Sequence, residues 1–223
     1  MNYLAHALDA LHCPYRLAGT ALPDWLRVAA PGVRLRPRQV SRFSSAGQLP
    51  PWRQLALGVL QHHREDGEFH FHPEFLRLCQ QARGKLQARF AGHSPHLVAF
   101  LAHLLVELLL DAAILDCCPE LGRRYYRQLE RLDRVQVSRF VHQATGQAVP
   151  GLAGWIDRFC RLRFLFDYLD DGKLWFRCGQ VMRRLGCPWE EPPPPELLPL
   201  RRSVYRQRHR LLPQLALVAE NPP

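Results

Sequence analysis

The sequence contains no C-x-x-C pair, although seven cysteines are spread over its 223 residues. Zinc knuckles use cysteines at that spacing, and disulfide frameworks use an even number of them. We therefore expect neither kind of cross-link, and we expect a reducing compartment. The first residues also lack the basic region and the apolar run of a signal peptide, so the sequence predicts the cytoplasm.

The sequence motifs of three large enzyme classes are missing as well. There is no G-x-S-x-G, no P-loop and no G-x-G-x-x-G anywhere in the chain. Serine hydrolases, P-loop nucleotidases and dinucleotide-dependent enzymes therefore have no support.

Strand signals are nearly absent, because no alternating run of β-branched residues lies between hairpin turns. Apolar residues instead recur with helical periodicity along the chain, which predicts an all-α fold. Several helices are expected to begin at a proline in the first turn, namely Pro51, Pro73, Pro95 and Pro119, with Ser94 as the N-cap before Pro95. The predicted helices span residues about 2–12, 22–30, 51–66, 73–91, 95–117, 119–131, 135–145, 150–170, 172–185 and 196–218.

These helices are predicted to form a single bundle domain over residues 1–186. Residues 31–50 contain prolines, glycines, serines and arginines, and we expect them to be irregular. A Pro-rich linker is predicted at residues 187–195. Residues 196–223 are then expected to supply a C-terminal helix that packs on the same domain.

Lysine is scarce, with only Lys85 and Lys173, so the formal net charge of +10 comes from arginine. A positive field of this size attracts nucleic acid, an anionic membrane or an acidic protein partner, and charge alone does not choose among them. A genomic bias towards arginine accounts for the composition equally well.

The most apolar stretch, residues 97–115, is interrupted by His103, Glu107 and Asp111. Each carboxylate at a bilayer centre would cost on the order of 2.5–3.5 kcal/mol, so we expect the central helix of a soluble bundle. The three residues are four apart and form one polar stripe. Because buried carboxylates need a cation, a metal or a retained proton, the stripe indicates either a metal or catalytic site or a salt bridge to an arginine.

A second helical pair is formed by His62 and Asp66, which project from one face one turn apart. Imidazole and carboxylate together suit Mn²⁺, Fe²⁺, Mg²⁺ or Zn²⁺. Arg64 points elsewhere and could meet a phosphate. A solvated polar face at the end of a helix is the alternative.

Two further residues precede this pair. His6 lies in an amphipathic N-terminal helix, where a histidine is either a ligand or a packed core residue. Asp24 follows a predicted glycine turn at Gly19, in the first turn of a helix, where a carboxylate also complements the helix dipole.

Taken in chain order, these motifs resemble the acyl-carrier-protein phosphodiesterase family. The resemblance rests on Met1-Asn2-Tyr3-Leu4-Ala5-His6, Gly19 through Asp24, His62-x-Arg64-x-Asp66, and the acidic pair Glu107 and Asp111. It implies removal of 4′-phosphopantetheine from holo acyl carrier protein with a divalent metal, most often Mn²⁺, with Mg²⁺ or Fe²⁺ as alternatives. It also implies a helical fold similar to the HD phosphohydrolases.

The resemblance assigns roles to individual residues. The implied metal ligands are His6, His62, Asp66 and Asp111. The implied catalytic residues are Asp24 and Glu107, either of which is expected to act as general base, and Arg64, which is expected to hold the phosphodiester.

The chain departs from the family pattern at several positions. Thr20 stands where the family often has Asn, His70 where an Asp is expected, and Glu107 where the acidic pair begins with Asp. Residues 31–50 also form a longer insert. These departures indicate a divergent member with another phosphodiester substrate or with weaker activity.

The expected partner is acyl carrier protein, because a strongly acidic protein is steered electrostatically onto a basic one. A metal phosphohydrolase acting on a nucleotide or another small phosphodiester is the alternative among enzymes. A non-catalytic basic helical adaptor that binds nucleic acid is the alternative from another class, although no nucleic-acid motif occurs.

Overall fold

The computed structural model describes residues 1–187, 189 and 197–215. Within these residues the regular secondary structure is helical and no strand occurs, which confirms the all-α prediction. The helices are α1 (Tyr3–Ala7), α2 (Pro14–Ala29), α3 (Pro37–Val40), α4 (Pro50–Phe69), α5 (Pro73–Gln87), α6 (Pro95–Cys117), α7 (Pro119–Glu130), α8 (Arg134–Thr145), α9 (Leu152–Leu162), α10 (Asp171–Arg184) and α11 (Leu197–Leu211), with 3₁₀ turns at Ser41–Phe43 and Phe164–Leu169.

Most of the predicted linker at 187–195 lies outside the described residues, as does the predicted C-terminal helix beyond residue 215. Helix starts follow local signals. Prolines begin α5, α6 and α7 as predicted, and the Ser94 side chain accepts the Leu97 N–H at 3.3 Å to cap α6. Helix α4 starts at Pro50, one residue before the predicted position.

The prediction for α2 was wrong at its start. Gly19 was expected in a turn, but α2 runs from Pro14 and contains both Gly19 and Pro23. Pro23 resembles a helix start in the sequence, whereas Pro14 is the proline of the first turn. Asp24 consequently lies in the second half of α2, and its predicted role as a charge at the helix N-terminus is also wrong.

Two other helices are shorter than predicted. The helix expected over residues 150–170 is divided at Arg163, whose φ of 45° is left-handed and ends α9 before the turn Phe164–Leu169. The first helix ends at Ala7 rather than near residue 12. The segment 31–50, expected to be irregular, contains the short α3 and a 3₁₀ turn.

The chain groups into two compact units. Unit 1 comprises Met1–Ala5, Phe69–Pro119 and Phe164–Pro223, and unit 2 comprises His6–Glu68 and Glu120–Arg163. The residues predicted as one bundle are thus distributed over both units, and a single bundle domain stays a prediction.

Unit 1 is organised around α6, which packs against α5, α10, α11 and the turn Phe164–Leu169. Helix α6 is long and apolar enough to cross a membrane. However, 67% of its most apolar 18-residue stretch is buried inside the protein. This burial is consistent with the soluble protein that the charged stripe predicts.

Unit 2 has an aromatic core between α2 and α9, where the Trp25 and Phe159 rings meet edge to face with centroids 5.4 Å apart. Helix α2 also crosses α4 with no side chain between the backbones. A Cβ added to Gly58 would lie 2.7 Å from the Gly19 Cα and 2.8 Å from the Thr20 N. Only glycine fits at this crossing, and the crossing brings His62 of α4 to the Thr20 carbonyl.

Candidate metal centre

Three of the four predicted metal ligands come together in unit 2. His6 lies in α1, His62 lies in α4, and Asp66 follows His62 by one turn of the same helix. One ligand atom from each residue lies within 4.8 Å of the other two. Both histidines are buried, so their rings are held by the protein rather than by solvent.

The tautomer of the His62 ring follows from its hydrogen bond to the backbone. Its Nδ1 lies 2.9 Å from the Thr20 carbonyl oxygen, which can only accept, so Nδ1 carries the proton. The unprotonated Nε2 then faces Asp66 Oδ2 at 3.3 Å. Burial, and next the charge of His6, lower the pKa of His62 to about 3, which keeps the imidazole neutral at pH 7. A neutral imidazole is the form that binds a metal.

His6 is oriented in a similar way by a carboxylate. Its Nδ1 lies 2.7 Å from Glu65 Oε2, and its Nε2 lies 3.1 Å from Asp66 Oδ1. Burial alone would lower the pKa of His6, but the hydrogen bonds to Asp66 and Glu65 outweigh it, and the pKa is raised. The two carboxylates therefore favour the imidazolium form of His6 when no metal is bound, and a metal at Nε2 would displace the proton from that nitrogen.

Asp66 completes the donor set. Burial would raise the pKa of Asp66, but the hydrogen bond from His6 acts in the opposite direction; the pKa is lowered, and the carboxylate is ionised. Two imidazole Nε2 atoms and one carboxylate then face one another, each imidazole with its Nδ1 engaged by an oxygen. Metal-binding histidines are held in this manner, and the donor set fits Mn²⁺, Fe²⁺ or Zn²⁺.

Two supporting residues were missed by the sequence analysis. Glu65 was not singled out in the sequence, yet it accepts the hydrogen bond from His6 Nδ1 and orients this ring. Gln61 is buried, donates through Nε2 to the His6 carbonyl at 3.2 Å and accepts from Arg16 Nε at 2.9 Å. Gln61 and Glu65 lie one helical turn apart, as His62 and Asp66 do. This four-residue spacing is the sequence signal that could have indicated them.

Asp111, the fourth predicted ligand, has a different set of contacts. It is fully buried in unit 1, and its two oxygens accept the backbone N–H groups of Leu4 and Ala5, each at 3.0 Å. These N–H groups belong to the first turn of α1, where no intrahelical acceptor exists. Asp111 thus caps α1, and its role as a metal ligand stays a prediction.

The predicted catalytic residues lie in both units. In unit 2, Arg64 has a 62% exposed side chain, and Asp24 lies 3.8 Å from Arg27 Nε. In unit 1, Glu107 Oε1 receives the Met1 ammonium at 2.9 Å and the two imidazoles of His70 and His103. Burial would raise the pKa of Glu107, but these groups hold it well below its ordinary value. The catalytic roles of these residues stay predictions.

Comparisons with protein family models, with curated proteins and with solved structures found no match for this chain. The resemblance to acyl-carrier-protein phosphodiesterases therefore depends on the motifs quoted above. The helical fold and the grouping of His6, His62 and Asp66 are observations that do not depend on this resemblance.

Replacing Glu65 by glutamine should weaken metal binding by about 10–100-fold, because outer partners of ligating histidines contribute that much to affinity. The amide oxygen can still accept the hydrogen bond from His6 Nδ1, but it no longer places a negative charge beside the ring. Glu68→Gln is the matched control, since Glu68 is exposed on the same helix. Titration of each metal-free variant with Mn²⁺ measures the effect. Equal affinities for the two variants would remove Glu65 from the site.

Proposed function

We propose that this protein is a metal-dependent phosphodiester hydrolase of the acyl-carrier-protein phosphodiesterase type, which releases 4′-phosphopantetheine from holo acyl carrier protein. One observation carries the proposal. Two buried histidines, each oriented through Nδ1, direct Nε2 towards one ionised carboxylate. Metal-binding histidines are commonly held in this way, with the second ring nitrogen bonded to an oxygen that fixes the ring.

A divalent metal at His6, His62 and Asp66 would polarise a phosphoryl oxygen and lower the pKa of a water molecule. Arg64 projects from α4 between the two α4 ligands in sequence, and its exposed guanidinium suits a phosphodiester anion. Asp24 belongs to the same unit and is our candidate for the general base. Mn²⁺ is proposed because the family resemblance implies it, since the donor set alone also fits Fe²⁺ and Zn²⁺. An HD-like helical arrangement is the proposed fold type.

The protein's charge supports an acidic partner. A net charge of +10 would steer an acidic carrier protein towards the protein and raise the association rate at low salt. A cytoplasmic location is proposed with it, because both acyl carrier protein and free thiols belong to that compartment.

The departures at Thr20, His70 and Glu107 favour a second candidate substrate, a nucleotide or another small phosphodiester. The same metal group would serve this reaction. The two candidate substrates differ only in the groups attached to the phosphodiester. Assays with each substrate therefore distinguish them, whereas a measurement of metal content does not.

The test begins with protein stripped by a chelator and reloaded with Mn²⁺. Release of phosphopantetheine from holo acyl carrier protein is measured beside hydrolysis of bis(p-nitrophenyl) phosphate. We expect His62→Ala to abolish metal-dependent turnover, and we expect His12→Ala, at an exposed histidine in the same unit, to leave it unchanged.

Each other outcome has a distinct meaning. Hydrolysis of the small diester without release from the carrier protein would replace the first substrate by the second. Turnover that survives His62→Ala would contradict the proposed metal centre. A protein that hydrolyses neither substrate, but binds nucleic acid with an affinity that falls steeply with salt, would be the non-catalytic adaptor.

A further inference from the structure

A second group of ligand-type side chains lies in unit 1. It consists of His70, His103 and Glu107, and one ligand atom from each lies within 4.8 Å of the other two. His103 and Glu107 are one turn apart on α6, and His70 lies in the turn that precedes α5. Because α5 packs along α6, the turn brings His70 against the polar stripe.

The ligand atoms converge on one oxygen. Glu107 Oε1 lies 3.0 Å from His70 Nε2 and 3.1 Å from His103 Nε2. The same nitrogen of each imidazole thus faces the same point, and the two ring centroids are 4.6 Å apart.

Packing holds both rings in place. The buried Phe75 ring lies 5.6 Å from the His70 ring and 5.0 Å from the His103 ring, centroid to centroid. The Phe69 ring also lies against His70, at 6.0 Å. Ligands whose rotamers are fixed by apolar neighbours lose little conformational entropy when an ion binds.

This group is open to solvent, unlike the buried histidines of unit 2. The side chains of His70 and His103 are 33% and 36% exposed, and Glu107 beneath them is 14% exposed. An ion can therefore enter and leave without unfolding the protein. The mostly covered carboxylate supplies charge, and the two partly exposed imidazoles supply the outer ligands.

The position already attracts positive charge. The Met1 ammonium lies 2.9 Å from Glu107 Oε1 and 3.3 Å from His70 Nε2. An ammonium group is held there by the same oxygen and nitrogen that would coordinate a metal. A divalent ion makes stronger bonds to an imidazole nitrogen than an ammonium does, since an ammonium offers only hydrogen bonds.

We propose that His70, His103 and Glu107 form a second divalent-metal site, for Zn²⁺, that exchanges its ion with solvent. Two imidazoles and one glutamate are a ligand set that Zn²⁺ uses when one coordination position stays open for water or substrate. The softer nitrogen ligands favour Zn²⁺ over Mg²⁺ and Mn²⁺. The site uses no residue of the His6, His62 and Asp66 group.

The experiment isolates this site by removing the other one. Metal-free His62→Ala protein, without an N-terminal tag so that Met1 keeps its ammonium, is titrated with Zn²⁺ by calorimetry. We expect about one Zn²⁺ per chain. Adding His103→Ala should abolish that binding, while adding His96→Ala, at an exposed histidine on the same helix, should leave it unchanged. Titration with Co²⁺ should give visible absorption bands that disappear with His103→Ala.

Circular dichroism checks that each variant is folded, and Glu107→Gln provides a second test that keeps the side-chain volume. We expect Glu107→Gln to weaken Zn²⁺ binding by about 10-fold or more. No Zn²⁺ binding by the His62→Ala protein, or equal binding by the His103→Ala and His96→Ala proteins, would show that the group is an ion-pair cluster around the Met1 ammonium. Either result would overturn this proposal and leave the proposed hydrolase untouched, because that activity is measured on the unit 2 ligands.

Discussion

Gly58→Ala should lower the free energy of unfolding by about 3 kcal/mol, at the upper end of what overpacking costs. The added Cβ would collide with backbone atoms of Arg16, Gly19 and Thr20, and backbone cannot rotate away as a side chain can. For a chain of this length the melting temperature should fall by roughly 10 °C. Separation of the two helices should also weaken metal binding, since the His62 ring is bonded to the Thr20 carbonyl.

Gly67→Ala is the matched control for this experiment. Gly67 lies on the same helix, and a Cβ there would meet nothing within 4 Å. Alanine is favoured over glycine inside a helix by about 0.5–1 kcal/mol, so this variant should be slightly more stable than the unchanged protein. Thermal and urea unfolding followed by circular dichroism measure both variants. Similar curves for the two would mean that α2 and α4 do not cross as tightly as described.

Asp111→Ala should lower the free energy of unfolding by about 4 kcal/mol. Two buried N–H groups, of Leu4 and Ala5, would lose their acceptor, and each unsatisfied buried donor costs roughly 1–3 kcal/mol. Asp116→Ala is the control, because Asp116 is exposed further along the same helix and should change stability by less than about 0.5 kcal/mol.

This experiment also separates two roles for Asp111. A cap for α1 predicts the same loss of stability in the presence of a chelator as in its absence. A metal ligand, as the family resemblance implies, predicts a loss that appears only when metal is present. Denaturant unfolding of both variants, with and without a chelator, distinguishes the two.

The parts of the fold that depend on neighbouring residues could be predicted from the sequence. Pro73, Pro95 and Pro119 begin helices because a missing N–H does no harm in a first turn, and that rule needs no tertiary contact. Gly19 was misjudged because a glycine in a turn and a glycine at a helix crossing look alike in the sequence. Its partner, Gly58, is distant in the chain, and only the packing of α2 on α4 connects them.

In the candidate site, too, the features set by neighbouring residues could be predicted and the features set by packing could not. His62 and Asp66 were predicted from their four-residue spacing, which is a local property of a helix. The Thr20 carbonyl that orients His62 could not be predicted, since every residue has a carbonyl and no side chain marks this one. The Asp111 contacts were missed for the same reason, because its partners are backbone N–H groups.

The departures from the family pattern illustrate what spacing alone cannot show. His70 and Glu107 were noted separately as substitutions, and His103 was noted as part of a stripe. The structure places all three around one oxygen. Their common position depends on how α5 packs against α6, which no local pattern encodes.

The capping of α1 by Asp111 has a consequence for the order of folding. During synthesis the N–H groups of Leu4 and Ala5 leave the ribosome 107 and 106 residues before their acceptor. At about 5–20 residues per second, that interval is roughly 5–20 s. A five-residue helix is too short to be stable alone, so α1 stays unformed during this time. The capped form of α1 can therefore appear only after Asp111 has been synthesised.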